Sequence, residues 1–258
     1  MPTYPCLHAW TLRVALFPYS PIGQPIGSTA GKRAELVCKI TPVPNTQLPI
    51  LKSKLLNSWS LFALIVIPMS IAAALAMTRV DLSSPLGVSA MIQFTVRLAV
   101  PWLFIAFAAS SLVVVFPGSF SRWLLRNRRI IGLCFAAGMA WQLLFILWMV
   151  IGYWDYYIDE AYNYLDLSEQ LPGYLLLTAM VVTSFRFGRS KLSARQWKIL
   201  HKGAIYFLWG VVWSTYWFEL FYYEDVQVID YVYYWAGFVA WGVRLLAWSK
   251  KRALQPAT

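Results

Sequence analysis

Six stretches of the chain are almost unbroken in apolar residues, at about 58–77, 90–116, 130–153, 171–187, 204–221 and 229–248. A helix crossing the roughly 30 Å hydrocarbon layer of a bilayer needs about 20 such residues. Each stretch is therefore expected to form one spanning helix. The fourth is the shortest, and Arg186 snorkelling to the interface extends it by a turn. The predicted fold is all-α: an integral membrane six-helix bundle over residues 55–250, with a short tail at 251–258.

The polar positions between these stretches alternate in sign. Arg13, Lys32, Arg33, Lys39, Lys52 and Lys54 precede the first. Arg122, Arg126, Arg128 and Arg129 follow the second, and Arg186, Arg189, Lys191, Arg195, Lys198 and Lys202 follow the fourth. Arg244, Lys250, Lys251 and Arg252 belong to the C-terminal tail. The first connection has only Arg79 beside Asp81. The third holds Asp155, Asp159, Glu160, Asp166 and Glu169, and the fifth Glu219, Glu224, Asp225 and Asp230, both without a base. Bases gather on the cytoplasmic side of membrane proteins, so both termini are expected there. Tyrosines and tryptophans crowd the acidic connections, as in an interfacial aromatic belt.

Composition agrees. The chain has 258 residues, 59% hydrophobic and 13% charged, against about a quarter charged in a soluble domain. The net charge of +11 follows from the alternation, and no nucleic-acid partner is called for. Residues 1–54 read differently: Pro5, Pro18, Pro21, Pro25, Pro42, Pro44 and Pro49 interrupt any helix, and a disordered cytoplasmic segment is expected. An over-extended gene start would look the same, although no Met lies between Met1 and Met69. Three cysteines without metal-site spacing make neither a disulfide framework nor a metal site. Gly-rich phosphate loops and dinucleotide-binding segments are absent from the sequence.

Two runs carry a resemblance. Residues 121–133, Ser-Arg-Trp-Leu-Leu-Arg-Asn-Arg-Arg-Ile-Ile-Gly-Leu, enter the third stretch. Trp197-Lys-Ile-Leu-His201, continuing to Tyr206 and Trp209, enters the fifth. The second stretch has Arg97 followed by small residues up to Ser110 and Ser111. Together they resemble the ferric reductase-like transmembrane family, especially members similar to the haem-binding membrane subunit of the periplasmic methionine sulfoxide reductase system. The resemblance implies transmembrane electron transfer through haem b, with histidines on facing helices as axial ligands, between a cytoplasmic reductase or quinol donor and an outer-face acceptor.

His201 stands where the resemblance places the inner ligand. Thirteen residues on is Ser214, and Met139 and Gln142 occupy the corresponding positions of the third stretch. Two bis-histidine haems need four histidines, and the chain has two, His8 and His201, so at most one haem is expected. Its second ligand would be Met139, about 15 Å beyond Arg129, or Cys134, roughly 7 Å beyond it. Gln142 fits an interhelical hydrogen bond better than an iron ligand. Arg97, inside a span where charge is expensive, either pairs with Glu219 or binds an anionic group such as a propionate or a quinone headgroup. Arg128 and Arg129 are propionate partners or topology signals. The alternative to electron transfer is a haem-free structural or assembly subunit that binds other membrane proteins. A transporter is the weaker expectation, because Pro101 is read as the one proline well inside a span.

Overall fold

Every regular element among the described residues is helical. Six long helices carry the architecture: α1 (Ser58–Met77), α2 (Pro85–Val115), α3 (Ser119–Gly152), α4 (Tyr164–Ser184), α5 (Ala194–Tyr222) and α6 (Val228–Ala253). Short helical turns at Lys54–Leu56, Trp154–Tyr156, Tyr157–Ala161 and Arg186–Arg189 flank or join them. The computed structural model describes residues 51, 53–161, 164–222 and 226–253. These lie within one unit, Thr46–Thr258. Most of the expected disordered segment, residues 1–50, lies outside them.

Three of the helices, α1, α2 and α3, are long and apolar enough to cross a membrane. α5 and α6 carry many aromatics, Trp209, Trp213, Tyr216 and Trp217 in α5 and Tyr231, Tyr233, Tyr234 and Trp235 in α6, and α4 has Asp166 and Glu169 in its first turns. The outside of the bundle is apolar. Leu64, Ile67, Ile71 and Leu75 on α1, Leu175 on α4 and Val239 and Leu246 on α6 are all more than half exposed. A continuous apolar surface of this kind suits lipid rather than water.

Several helices outrun their apolar stretches because the chain stays helical until a cap ends it. At α2 that cap is Ser84, whose Oγ accepts from the Gly87 amide at 3.2 Å, with Pro85 at the first helical position. α4 grows at its start rather than its end: it stops at Ser184, and Arg186 belongs to a separate turn. Lys251, Arg252 and Ala253 continue α6 instead of forming a tail. Pro101 is not the sole internal proline, since Pro68 and Pro172 also lie inside α1 and α4.

α2 is the central helix. Ala99, Val100, Leu103, Phe104 and Phe107 join Phe135, Leu177, Ile205, Leu208 and Ala240 in the main core, which draws on α2 to α6. Close approach of α2 and α3 depends on small residues, as in membrane helix pairs generally. A Cβ added at Gly138 would fall 2.6 Å from the Ala99 Cβ.

Short connections make successive helices antiparallel. One end of the bundle gathers the acidic connections and the other the basic ones. Contacts at each end agree: Tyr153 Oη donates to the Leu82 carbonyl (2.9 Å) at the acidic end. Trp123 Nε1 donates to the Leu56 carbonyl (2.8 Å) at the basic end, where Asn57 Oδ1 accepts from Arg126 Nη2 (2.9 Å) and Asn127 Nδ2 (3.1 Å).

Candidate functional site

His201 lies in the second turn of α5, where α5 meets the end of α4. Its Nε2 is 2.9 Å from the hydroxyl of Thr183, and its ring sits on that of Trp197, 4.3 Å between centroids. Trp197 Nε1 donates to the Thr183 carbonyl at 3.2 Å, and the Arg189 guanidinium covers the Trp197 ring at 5.0 Å. Gln142, on α3, accepts through Oε1 from the Tyr174 hydroxyl at 2.8 Å. Ser214 Oγ donates to the Val211 carbonyl (2.8 Å) and lies 3.4 Å from Glu169 Oε2. Thr183, Tyr174 and Glu169 all belong to α4. Three positions at which the resemblance leads one to look for iron ligands thus hold side chains that contact one neighbouring helix.

The other two ligand candidates face elsewhere. Met139 lines an apolar cleft of about 360 Å³ between α1, α3 and α4, with Trp59, Phe62, Leu143, Tyr174 and Phe185. His201 is not part of that lining. Cys134 is fully buried and packs with Leu61, Ala106, Ala109 and Leu133 between α1, α2 and α3. His201, Met139 and Cys134 thus have different neighbours: Thr183 and Trp197 around His201, the cleft at Met139, and the α1–α2–α3 packing around Cys134. Among the described residues no group of three or more His, Cys, Asp or Glu is placed to hold a metal ion.

The chain matches no protein-family model, no curated protein and no solved structure. What can be argued about its function rests on the sequence motifs and on this geometry.

Arg97 forms the centre of a second cluster. Its main partner is Asp230 in the first turn of α6, and the expected pairing with Glu219 is present as a looser contact. Nε and Nη2 reach Oδ1 and Oδ2 at 3.1 and 2.9 Å, in a two-pronged pair that leaves Asp230 wholly buried. Glu219 Oε1 stands farther off, at 3.8 Å. The Gln227 amide also donates to Asp230 (3.0 Å), and the Tyr233 hydroxyl donates to the Arg97 carbonyl (2.9 Å). With its fork already satisfied by a carboxylate, Arg97 is a structural tie between α2 and α6 rather than a receptor for a further anion. Sequence reasoning named Arg97 but missed Asp230 as its partner, having counted it only among the acids of the fifth connection.

A third cluster was also missed. Arg244, assigned to the tail, lies well inside α6, with its guanidinium 4.2 Å from the centre of the Phe107 ring and 4.5 Å from that of Tyr206. Its Nη1 donates to the Phe107 carbonyl (2.9 Å) and its Nη2 to the Tyr206 hydroxyl (2.8 Å). Arg128 Nε donates to the preceding carbonyl, that of Ala106, at 2.9 Å. The signal was present, since a charge within an apolar stretch is seldom incidental. Arg244 stands inside the sixth.

Proposed function

We propose that the chain is a six-span membrane protein of the bacterial cell membrane, with its basic end and both termini in the cytoplasm. In this reading it acts as a haem-free structural or assembly subunit on a ferric reductase-like plan. The alternation of bases and acids with helix parity supports the orientation. The motifs at 121–133 and 197–209 support the plan.

The observation that carries the haem-free reading is the engagement of α4 by His201, Gln142 and Ser214. Interhelical hydrogen bonds of this kind contribute only about 0.6 kcal/mol on average within membranes. Their effect is on register: spread along α4 they hold it against α3 and α5. The partners of such a subunit are other membrane proteins, met through the apolar flank and through exposed aromatics near the acidic end such as Tyr222, Tyr231 and Trp235.

The test is an absorbance spectrum, oxidised and dithionite-reduced, of the full chain purified in mild detergent from haem-sufficient cells. A colourless, folded protein is expected. A Soret band with reduced α and β bands, lost in His201→Ala, overturns this reading. It would establish instead a single-haem electron-transfer subunit with His201 as inner ligand, fed by a cytoplasmic reductase or a quinol.

A further inference from the structure

We propose that Arg128 and Arg244 form a binding site for a phosphate group, as carried by an anionic phospholipid headgroup or a free phosphate ion, at the basic end of the bundle. The two guanidiniums come from α3 and α6 and meet on α2, where they bond the consecutive carbonyls of Ala106 and Phe107. Holding two such cations together raises each one's energy, and the Arg244 charge acts directly on Arg128.

Among the described residues no carboxylate pairs with them. From residue 51 onward every Asp and Glu lies in the first, third or fifth connection or in the helix turns beside them; the remaining one is Glu35. The contrast with Arg97 is direct: that guanidinium, at the other end, is closed off by Asp230. Partly buried charge normally has a counter-ion, and the described residues supply none here.

The donors suit a phosphate. Among the described residues, the two Nη groups of Arg128 make no hydrogen bond, which leaves a planar fork of the kind that takes two phosphate oxygens at once. Arg244 is fixed by two ring faces and two acceptors, so its charge is positioned before any ligand arrives. Both arginines are partly accessible. Each lies about 13 Å along its helix from the basic terminus, within reach of headgroups for a helix that projects beyond the hydrocarbon. Basic pockets between helices on the cytoplasmic side are a recognised setting for anionic headgroups.

The inference rests on the membrane-spanning reading but not on the absence of haem. The full chain in mild detergent is titrated with phosphatidylglycerol, with phosphatidylcholine of the same acyl chains, and with inorganic phosphate. Bound lipid is counted by native mass spectrometry, and thermal unfolding is followed in parallel. Phosphatidylglycerol is expected to bind one to one and raise the unfolding midpoint, and phosphatidylcholine to do neither. Arg128→Gln and Arg244→Gln should weaken binding about tenfold or more, the loss of one charge-assisted contact, while exposed Arg195→Gln leaves it unchanged.

Inorganic phosphate that stabilises equally and displaces the lipid assigns the same site to a soluble anion. Equal retention of the two lipids, or equal weakening by Arg195→Gln, overturns the proposal. If the glutamine variants do not fold, Arg128→Lys and Arg244→Lys keep the charge and lose the fork, and the wild-type comparison of the two lipids still decides. A chain recovered without detergent from the soluble fraction defeats the membrane reading itself; an integral protein indifferent to headgroup charge defeats only the phosphate site.

Discussion

A guanidinium and a carboxylate removed from water each lose several kcal/mol of solvation, so a buried pair persists only where geometry returns that loss. Arg97 and Asp230 meet the condition with two short bonds and a supporting amide. Asp230→Ala leaves the arginine uncompensated and should destabilise the bundle by about 3–5 kcal/mol. Arg97→Met combined with Asp230→Leu should recover most of that, since well-packed apolar replacements of buried pairs are often neutral. Unfolding of the purified protein in detergent measures both. A double variant as unstable as the single one would show that the pair does more than join α2 to α6. The residue scale was only half legible in the sequence. Arg97 announces itself as a charge inside an apolar run, but its partner depends on how far α6 rises beside α2, and Glu219 and Asp230 are equally acidic on paper. Thr183 and Tyr174 gave less warning, because a hydroxyl in an apolar helix stands out only when its acceptor is known.

At the scale of the helix, backbone proximity matters more than hydropathy. Gly138 has no room for a side chain, with the Ala99 Cβ and Cα and the Met69 Sδ all within van der Waals distance of where a methyl would stand. Gly132, six residues earlier on the same helix, faces open space. Gly138→Ala should therefore cost about 1–3 kcal/mol, the usual penalty of overpacking. Gly132→Ala should be neutral or stabilising by up to about 1 kcal/mol through helix propensity alone. The unfolding midpoints of the two variants test this, and equal effects would mean that α2 and α3 separate easily. Helix positions were well marked by the apolar runs, and Ser58–Met77 emerges with the bounds the sequence suggests. Helix ends were not, because Ser84 at the start of α2 and the turn at Arg186–Arg189 are local backbone events that hydropathy does not register.

For the molecule as a whole, the sorting of charge to two ends is the feature most plainly written in the sequence, and orientation in the membrane is its testable form. In a background lacking Cys6 and Cys38, with Cys134 buried, a cysteine replacing exposed Thr78 at the acidic end should react with an impermeant maleimide on intact cells. One replacing exposed Lys191 at the basic end should react only after permeabilisation. The reverse pattern would invert the topology and, with it, the side on which Arg128 and Arg244 meet headgroups.

In the proposed orientation the same sorting makes the bundle an electric dipole lying along the membrane normal. A charge carried across a potential of 100 mV gains or loses about 2.3 kcal/mol. In a cell whose interior is negative, the field therefore pulls the arginine-rich end inward and the carboxylates outward. An energised membrane thus acts on the folded protein as a continuous restoring force, keeping it the right way up long after the insertion machinery has let go.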